Sequence, residues 1–100
     1  MNNPEFKSRM SFAAKPVKDF LIKNGYVYTV RTFKYKIYTT LVDDVGKVGR
    51  ELIFEVNNFE ELEPYVIYSG FNSLKEWTDM IERFNPYKRQ EYLWRVDILK

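Results

Sequence analysis

The chain has 100 residues and contains no cysteine and no histidine. Without cysteine there is no disulfide framework, no thiolate nucleophile and no thiolate metal site. Without histidine the commonest general base and the commonest transition-metal ligand are also missing. Any chemistry falls to Lys, Tyr, Ser, Thr, Asp, Glu or Arg, and the pattern implies no cofactor. Long apolar runs are absent as well: no stretch approaches the roughly 18 residues of a membrane span. The opening Met-Asn-Asn-Pro-Glu lacks the apolar run of a secretory signal. These absences fit a cytoplasmic protein that does not enter a membrane. Neither an internal repeat nor a low-complexity segment is present.

What is there is apolar and aromatic. Apolar residues make up 45% of the chain and aromatic residues 18%, enough for one core. A chain of this size is expected to form a single domain, here residues 6–100, after a frayed polar stretch at 1–5. The net charge of +2 hides an imbalance. Residues 1–40 hold eight Lys or Arg and two acids, whereas residues 41–100 hold eight basic and twelve acidic residues. A basic half suggests a polyanionic partner, unless the fold mixes both halves on one surface.

Phe6 to Ala14 reads as a short strand. Pro16 suits the first turn of a helix that carries Val17, Phe20 and Leu21 and ends at Asn24-Gly25. Tyr26 to Thr32 and Tyr35 to Val42 are rich in β-branched and aromatic residues and read as strands, with a bend at Phe33-Lys34. Asp43 to Gly49 is turn material, and its paired aspartates are turn residues before they are a metal site. Arg50 to Val56 alternates, with Leu52, Phe54 and Val56 on one face. Asn57-Asn58 caps a short acidic segment from Phe59 to Glu63, stopped by Pro64, and Tyr65 to Tyr68 reads as a brief strand. Ser73 to Glu76 is a capping box for a helix with Leu74, Trp77, Ile81 and Phe84 on one face, ended by Asn85-Pro86. Tyr92 to Leu99 has apolar residues on both faces and is expected at the centre of the sheet. The fold class expected is α+β: a small, mostly antiparallel sheet curled into a barrel, with two or three helices.

The helix-to-strand unit VKDFLIKNGYVYTVR, the later YSGFNSLKEW and the closing YLWRVDIL resemble the ASCH family of the PUA-like superfamily. The resemblance covers roughly residues 6–99. It implies a β-barrel of five or six strands with helices at its ends, and binding of RNA or another nucleic acid in a cleft between barrel and helix. In that family the strand after the glycine turn carries a threonine and an arginine two residues apart, the positions of Thr29 and Arg31. A glycine–aromatic loop before a capped helix corresponds to Gly70-Phe71-Asn72-Ser73. Some members are amidohydrolases that deacetylate N4-acetylcytidine with a lysine three residues before the threonine and a carboxylate near the glycine loop. Here Tyr26 and Ser69 stand at those places, with Lys23 and Glu63 or Glu76 as the nearest substitutes. The resemblance therefore points to binding before catalysis.

Thr29 and Arg31 lie on the strand face opposite Tyr26, Tyr28 and Val30. In a cleft, Arg31 offers a planar fork of donors to a phosphate or a base edge. Its structural alternative is a cross-strand pair with Glu51 or Glu55. Lys23, Lys34 and Lys36 interleave with Tyr26, Tyr28, Tyr35 and Tyr38, so rings that stack on bases stand beside cations that neutralise phosphates. The alternative for each ring is the core, and for Lys34 and Lys36 a solvated strand face. The candidate nucleic-acid site is thus Lys23, Tyr26, Tyr28, Thr29, Arg31, Lys34, Lys36, Ser69, Gly70 and Phe71, with no catalytic or metal-binding residue assigned. A hydrolase of a modified nucleoside or of RNA, and a protein-interaction module, stay open beside it. So does the choice between a monomer and a weak dimer.

Overall fold

In the structure, a computed structural model, residues 9–99 are described. The expected fraying at 1–5 and the start of the first expected strand, at 6–8, lie outside these residues. The elements run β1 (Arg9–Met10), α1 (Lys15–Asn24), β2 (Tyr26–Arg31), β3 (Thr39–Val42), β4 (Gly46–Val56), a 3-10 helix (Phe59–Tyr68), α2 (Leu74–Phe84) and β5 (Glu91–Ile98). The five strands form one curled, mixed sheet in the order β1-β3-β4-β5-β2, a half-barrel with three helices. All pairings are antiparallel except β1 with β3. No helix among the described residues is long and apolar enough to cross a membrane.

Local chemistry sets the boundaries of α1 and β2. Pro16 occupies the first turn of α1, where its missing N–H has no intrahelical partner to lose. Gly25 ends the helix at φ 83°, and its N–H donates to the Leu21 carbonyl at 2.8 Å. One residue later the chain is extended, and β2 pairs with β5 along its whole length. That turn aims the β2 side chains: Val27, Thr29 and Arg31 lie opposite Val96, Trp94 and Tyr92. β5 sits between β4 and β2, and Leu93 and Trp94, 0% and 3% exposed, fill its two faces. The expectation of a central final strand holds for that reason.

Several expected elements differ. The strand foreseen over Tyr35 to Val42 begins only at Thr39. From Thr32 to Tyr38 the chain leaves the ladder, and its carbonyls bond to other groups. Trp94 Nε1 donates to Phe33, Arg50 Nε to Ile37 and the Arg50 N–H to Tyr38. The turn foreseen to Gly49 is shorter, because Gly46 at φ 106° already starts β4 and Lys47 and Gly49 pair with Leu41 and Thr39. A bulge between Leu52 and Phe54 breaks the expected alternation of β4, so Leu52 faces Trp94 while Phe54 faces Leu93. Among the described residues of the first expected strand, only Arg9–Met10 pairs with a neighbour.

The segment Tyr65 to Tyr68 is helical, not a strand, and Pro64 sits inside that helix rather than ending it. The fixed φ of proline suits a helical turn, and a repeat of three stacks Leu62, Tyr65 and Tyr68 along one side. The two tyrosine rings lie 5.1 and 5.7 Å from Tyr28. At the start of this helix the Glu61 carboxylate accepts the N–H groups of Asn57 and Asn58, at 2.7 and 3.0 Å. These bonds hold its pKa below the usual carboxylate range. The ionised form therefore stabilises the fold at neutral pH, and this is lost as pH falls through the carboxylate range and below. Glu61→Gln is expected to flatten the acid limb of a stability-versus-pH curve, read by urea titration at a series of pH values. An unchanged limb would show that the cap contributes nothing.

α2 starts at Ser73, whose Oγ accepts the Glu76 N–H at 3.1 Å. Trp77 and Ile81 are buried as expected, but Phe84 stays 57% exposed at the end of the helix.

Candidate functional site

A hollow of about 250 Å³ lies between β2, the segment Ser11–Ala14 that leads into α1, and the inner side of α2. Three consecutive β2 residues, Thr29, Val30 and Arg31, line it. Side chains alternate across a strand, so three in a row show that the hollow sits against the strand's edge. Among the described residues β2 is an edge strand, bonded to β5 alone. The remaining walls are largely apolar and aromatic: Phe12, Val17, Tyr35, Phe71, Trp77, Met80 and Ile81. Phe33 and Phe84 stand at it with 60% and 57% of their surface in solvent. An apolar concavity with a few fixed polar groups is the usual form of a small-ligand pocket.

Arg31 supplies the cation. Its Nη2 donates to the Ser11 carbonyl at 2.7 Å, and its guanidinium carbon lies 4.6 Å from the centre of the Phe12 ring. Burial lowers its pKa, and the Tyr35 phenol beside it acts in the opposite direction. An arginine stays charged through such shifts. The foreseen alternative, an ion pair with Glu51 or Glu55, does not form: Arg31 belongs to no ion pair among the described residues. Glu51 lies opposite Arg95 instead. Among the described residues, one backbone oxygen and one ring face leave the positive charge without an anionic partner, at the edge of an apolar hollow.

A second arginine explains why Tyr35 is held there. Arg50 is 4% exposed, and its guanidinium carbon lies 3.7 Å from the centre of the Tyr35 ring. Burial lowers its pKa; Tyr35 opposes this and the positive charge of Arg31 adds to it. The Tyr35 ring also packs edge-on against Trp94, with centroids 5.1 Å apart. Tyr35 is thus held between Arg50 and Trp94.

The foreseen site residues separate into groups. Thr29, Arg31 and Phe71 line the hollow. Lys34 and Lys36 are exposed on the Thr32–Tyr38 segment beside Phe33 and Tyr35. Ser69 and Gly70 support the wall without lining it. Ser69 is fully buried; its Oγ donates to the Val66 carbonyl at 2.7 Å and accepts the Phe71 N–H at 3.1 Å. Gly70 turns at φ 91° against the backbone of Pro16. Tyr26 and Tyr28 point to the other face of the sheet, under Tyr65 and Tyr68. There Arg95 lies over both rings and bonds to Asp97, whose carboxylate, with the Tyr28 hydroxyl, raises its pKa. Lys23 is exposed in the last turn of α1 and does not line the hollow.

The hollow also holds groups that pattern reading did not single out. Trp77 and Phe84 read as core, yet both line it, and Asn85 read only as a helix stop. Glu91 is the one carboxylate among the described residues lining the hollow, and the ionisable side chains there are Arg31, Tyr35 and Glu91. No group of acids capable of holding a metal occurs among the described residues. Nothing in its sequence context marks Glu91: the fold puts it at the start of β5, next to the residue opposite Arg31.

No family model, curated protein or solved structure matches the chain. The functional reading therefore rests on the geometry of this hollow and on the resemblance drawn from the sequence.

Proposed function

We propose that the chain is a PUA-like domain of the ASCH type that binds single-stranded RNA, or another single-stranded nucleic acid, by seating an unpaired base in this hollow. The observation that carries the proposal is Arg31: a guanidinium in no ion pair among the described residues, at the edge of an apolar, aromatic-walled concavity. Unpaired bases stack on aromatic rings, and a guanidinium adds planar hydrogen bonding or a phosphate contact. Phe33 and Phe84 supply exposed rings, and Lys34 and Lys36 supply exposed cations on the neighbouring segment. The family assignment is supported by the α1–Gly25–β2 unit and by the Gly70-Phe71 turn before the Ser73-capped α2, set around a curled sheet. Binding is favoured over hydrolysis because no lysine is among the described residues lining the hollow.

Fluorescence anisotropy with short single-stranded RNAs over a range of salt concentrations tests the proposal. Affinity is expected to fall as salt rises, because phosphate contacts release counterions. Lys34→Ala and Lys36→Ala should each reduce the slope of log affinity against log salt by about one. Undetectable binding at low salt would overturn the reading.

A further inference from the structure

We infer that the hollow selects guanine, and that Glu91 makes the selection. The inference rests on the base-seating reading and adds the identity of the base. Glu91 opens β5 and lines the hollow on which Arg31 also stands. Its Oε2 accepts a hydrogen bond from Asn85 Nδ2 at 2.8 Å. Asn85 is itself buried and clamped to the backbone of one residue: Nδ2 also donates to the Arg89 carbonyl at 2.8 Å, and Oδ1 accepts the Arg89 N–H at 3.0 Å. A backbone donor and a backbone acceptor fix which end of the amide faces Glu91. The carboxylate is therefore held by a donor that cannot turn away. Its Oε1 has no hydrogen-bond partner among the described residues.

The hollow thus combines one fixed cation and one fixed anion in apolar surroundings. A ligand that satisfies both must present acceptors to a guanidinium and donors to a carboxylate. Guanine does this best. Its O6 and N7 accept from an arginine fork, and its N1–H and N2 amino group are adjacent donors that match the two oxygens of a carboxylate. Adenine and cytosine offer a carboxylate a single amino group. Uracil offers one N–H between two carbonyls, which the carboxylate repels. A free guanine nucleotide and a guanine within RNA present the same edges, so the experiment must separate them.

The test uses fluorescein-labelled oligouridylates of equal length that carry a single central G, A, C or U. The G-containing strand is expected to bind about tenfold more tightly than the other three, in line with one good bidentate pair. Glu91→Gln keeps an acceptor for Asn85 but loses the anion; it should abolish the preference by lowering the affinity of the G-containing strand to that of the other three. Equal affinity for all four strands, or a preference that survives Glu91→Gln, overturns the inference and leaves base seating intact. No binding of any strand overturns base seating and the inference with it. Competition with guanosine and uridine monophosphates separates the sources. Displacement by the guanine nucleotide alone supports selection of the free form, displacement by neither supports selection within RNA, and equal displacement by both counts against selection.

Discussion

Arg31→Ala is expected to weaken binding of a short single-stranded RNA by about tenfold to a hundredfold. The change removes the one cation among the described residues that line the hollow, and a hydrogen bond to a charged group contributes about 1.5–3 kcal/mol. It also removes the bond to the Ser11 carbonyl and the contact with the Phe12 ring, so a stability loss of about 1 kcal/mol accompanies it. The two effects separate if affinity is measured well below the midpoint of unfolding. Arg31→Lys keeps the charge but not the planar fork, and should recover only part of the affinity. If Arg31→Ala binds as tightly as the unaltered protein, the hollow is not where RNA sits.

The largest expected effect on stability is at Gly70. A Cβ built there would lie 2.4 Å from the carbonyl oxygen of Pro16 and 2.8 Å from its carbon. Both atoms are backbone, so no rotamer change relieves the overlap. The residue also adopts φ 91°, a left-handed conformation that costs any other residue about 1–2 kcal/mol. Gly70→Ala therefore forces the start of α1 away from the turn that places Phe71, with an expected loss of at least about 3 kcal/mol. Gly25 is the control. Its φ is 83°, but a Cβ there meets nothing within 4 Å, so Gly25→Ala should cost only about 1 kcal/mol of conformational strain. For a domain of this size each kcal/mol moves the melting midpoint by about 4–8 °C. Thermal melts of the two variants should differ by about 8–16 °C, two such steps. Equal midpoints would mean that the Gly70 turn does not press on α1.

The parts of this architecture legible in the sequence are those fixed by local chemistry. Pro16 and Gly25 bracket α1, Ser73 caps α2, and apolar residues on both faces put β5 in the sheet's interior. Thr29 and Arg31 could be assigned to one face because a strand alternates. The failures have a common cause in tertiary partners. Tyr65 and Tyr68 have strand-like side chains, but their spacing suits a 3-10 turn laid over Tyr28. Tyr35 and Ile37 look like strand residues, yet Arg50 and Trp94 side chains, distant in sequence, bond to the carbonyls of their segment. Tyr26 and Tyr28 are different: alternation already puts them on the face opposite Thr29, and there Tyr65 and Tyr68 cover them. Glu91 has no sequence context that marks it; only the fold brings it, with Asn85, to the hollow.

The central claim is that a base enters the hollow at the edge of β2. A titration of 15N-labelled protein with a short single-stranded RNA, followed by amide and side-chain NMR shifts, tests it most directly. The account predicts shifts concentrated at Thr29, Arg31, Phe33, Trp77, Phe84 and Glu91, including the Arg31 Nε and Trp77 Nε1 resonances. Shifts confined to the opposite face, at Tyr26, Tyr28, Tyr65 and Tyr68, or no shifts at all, would contradict it.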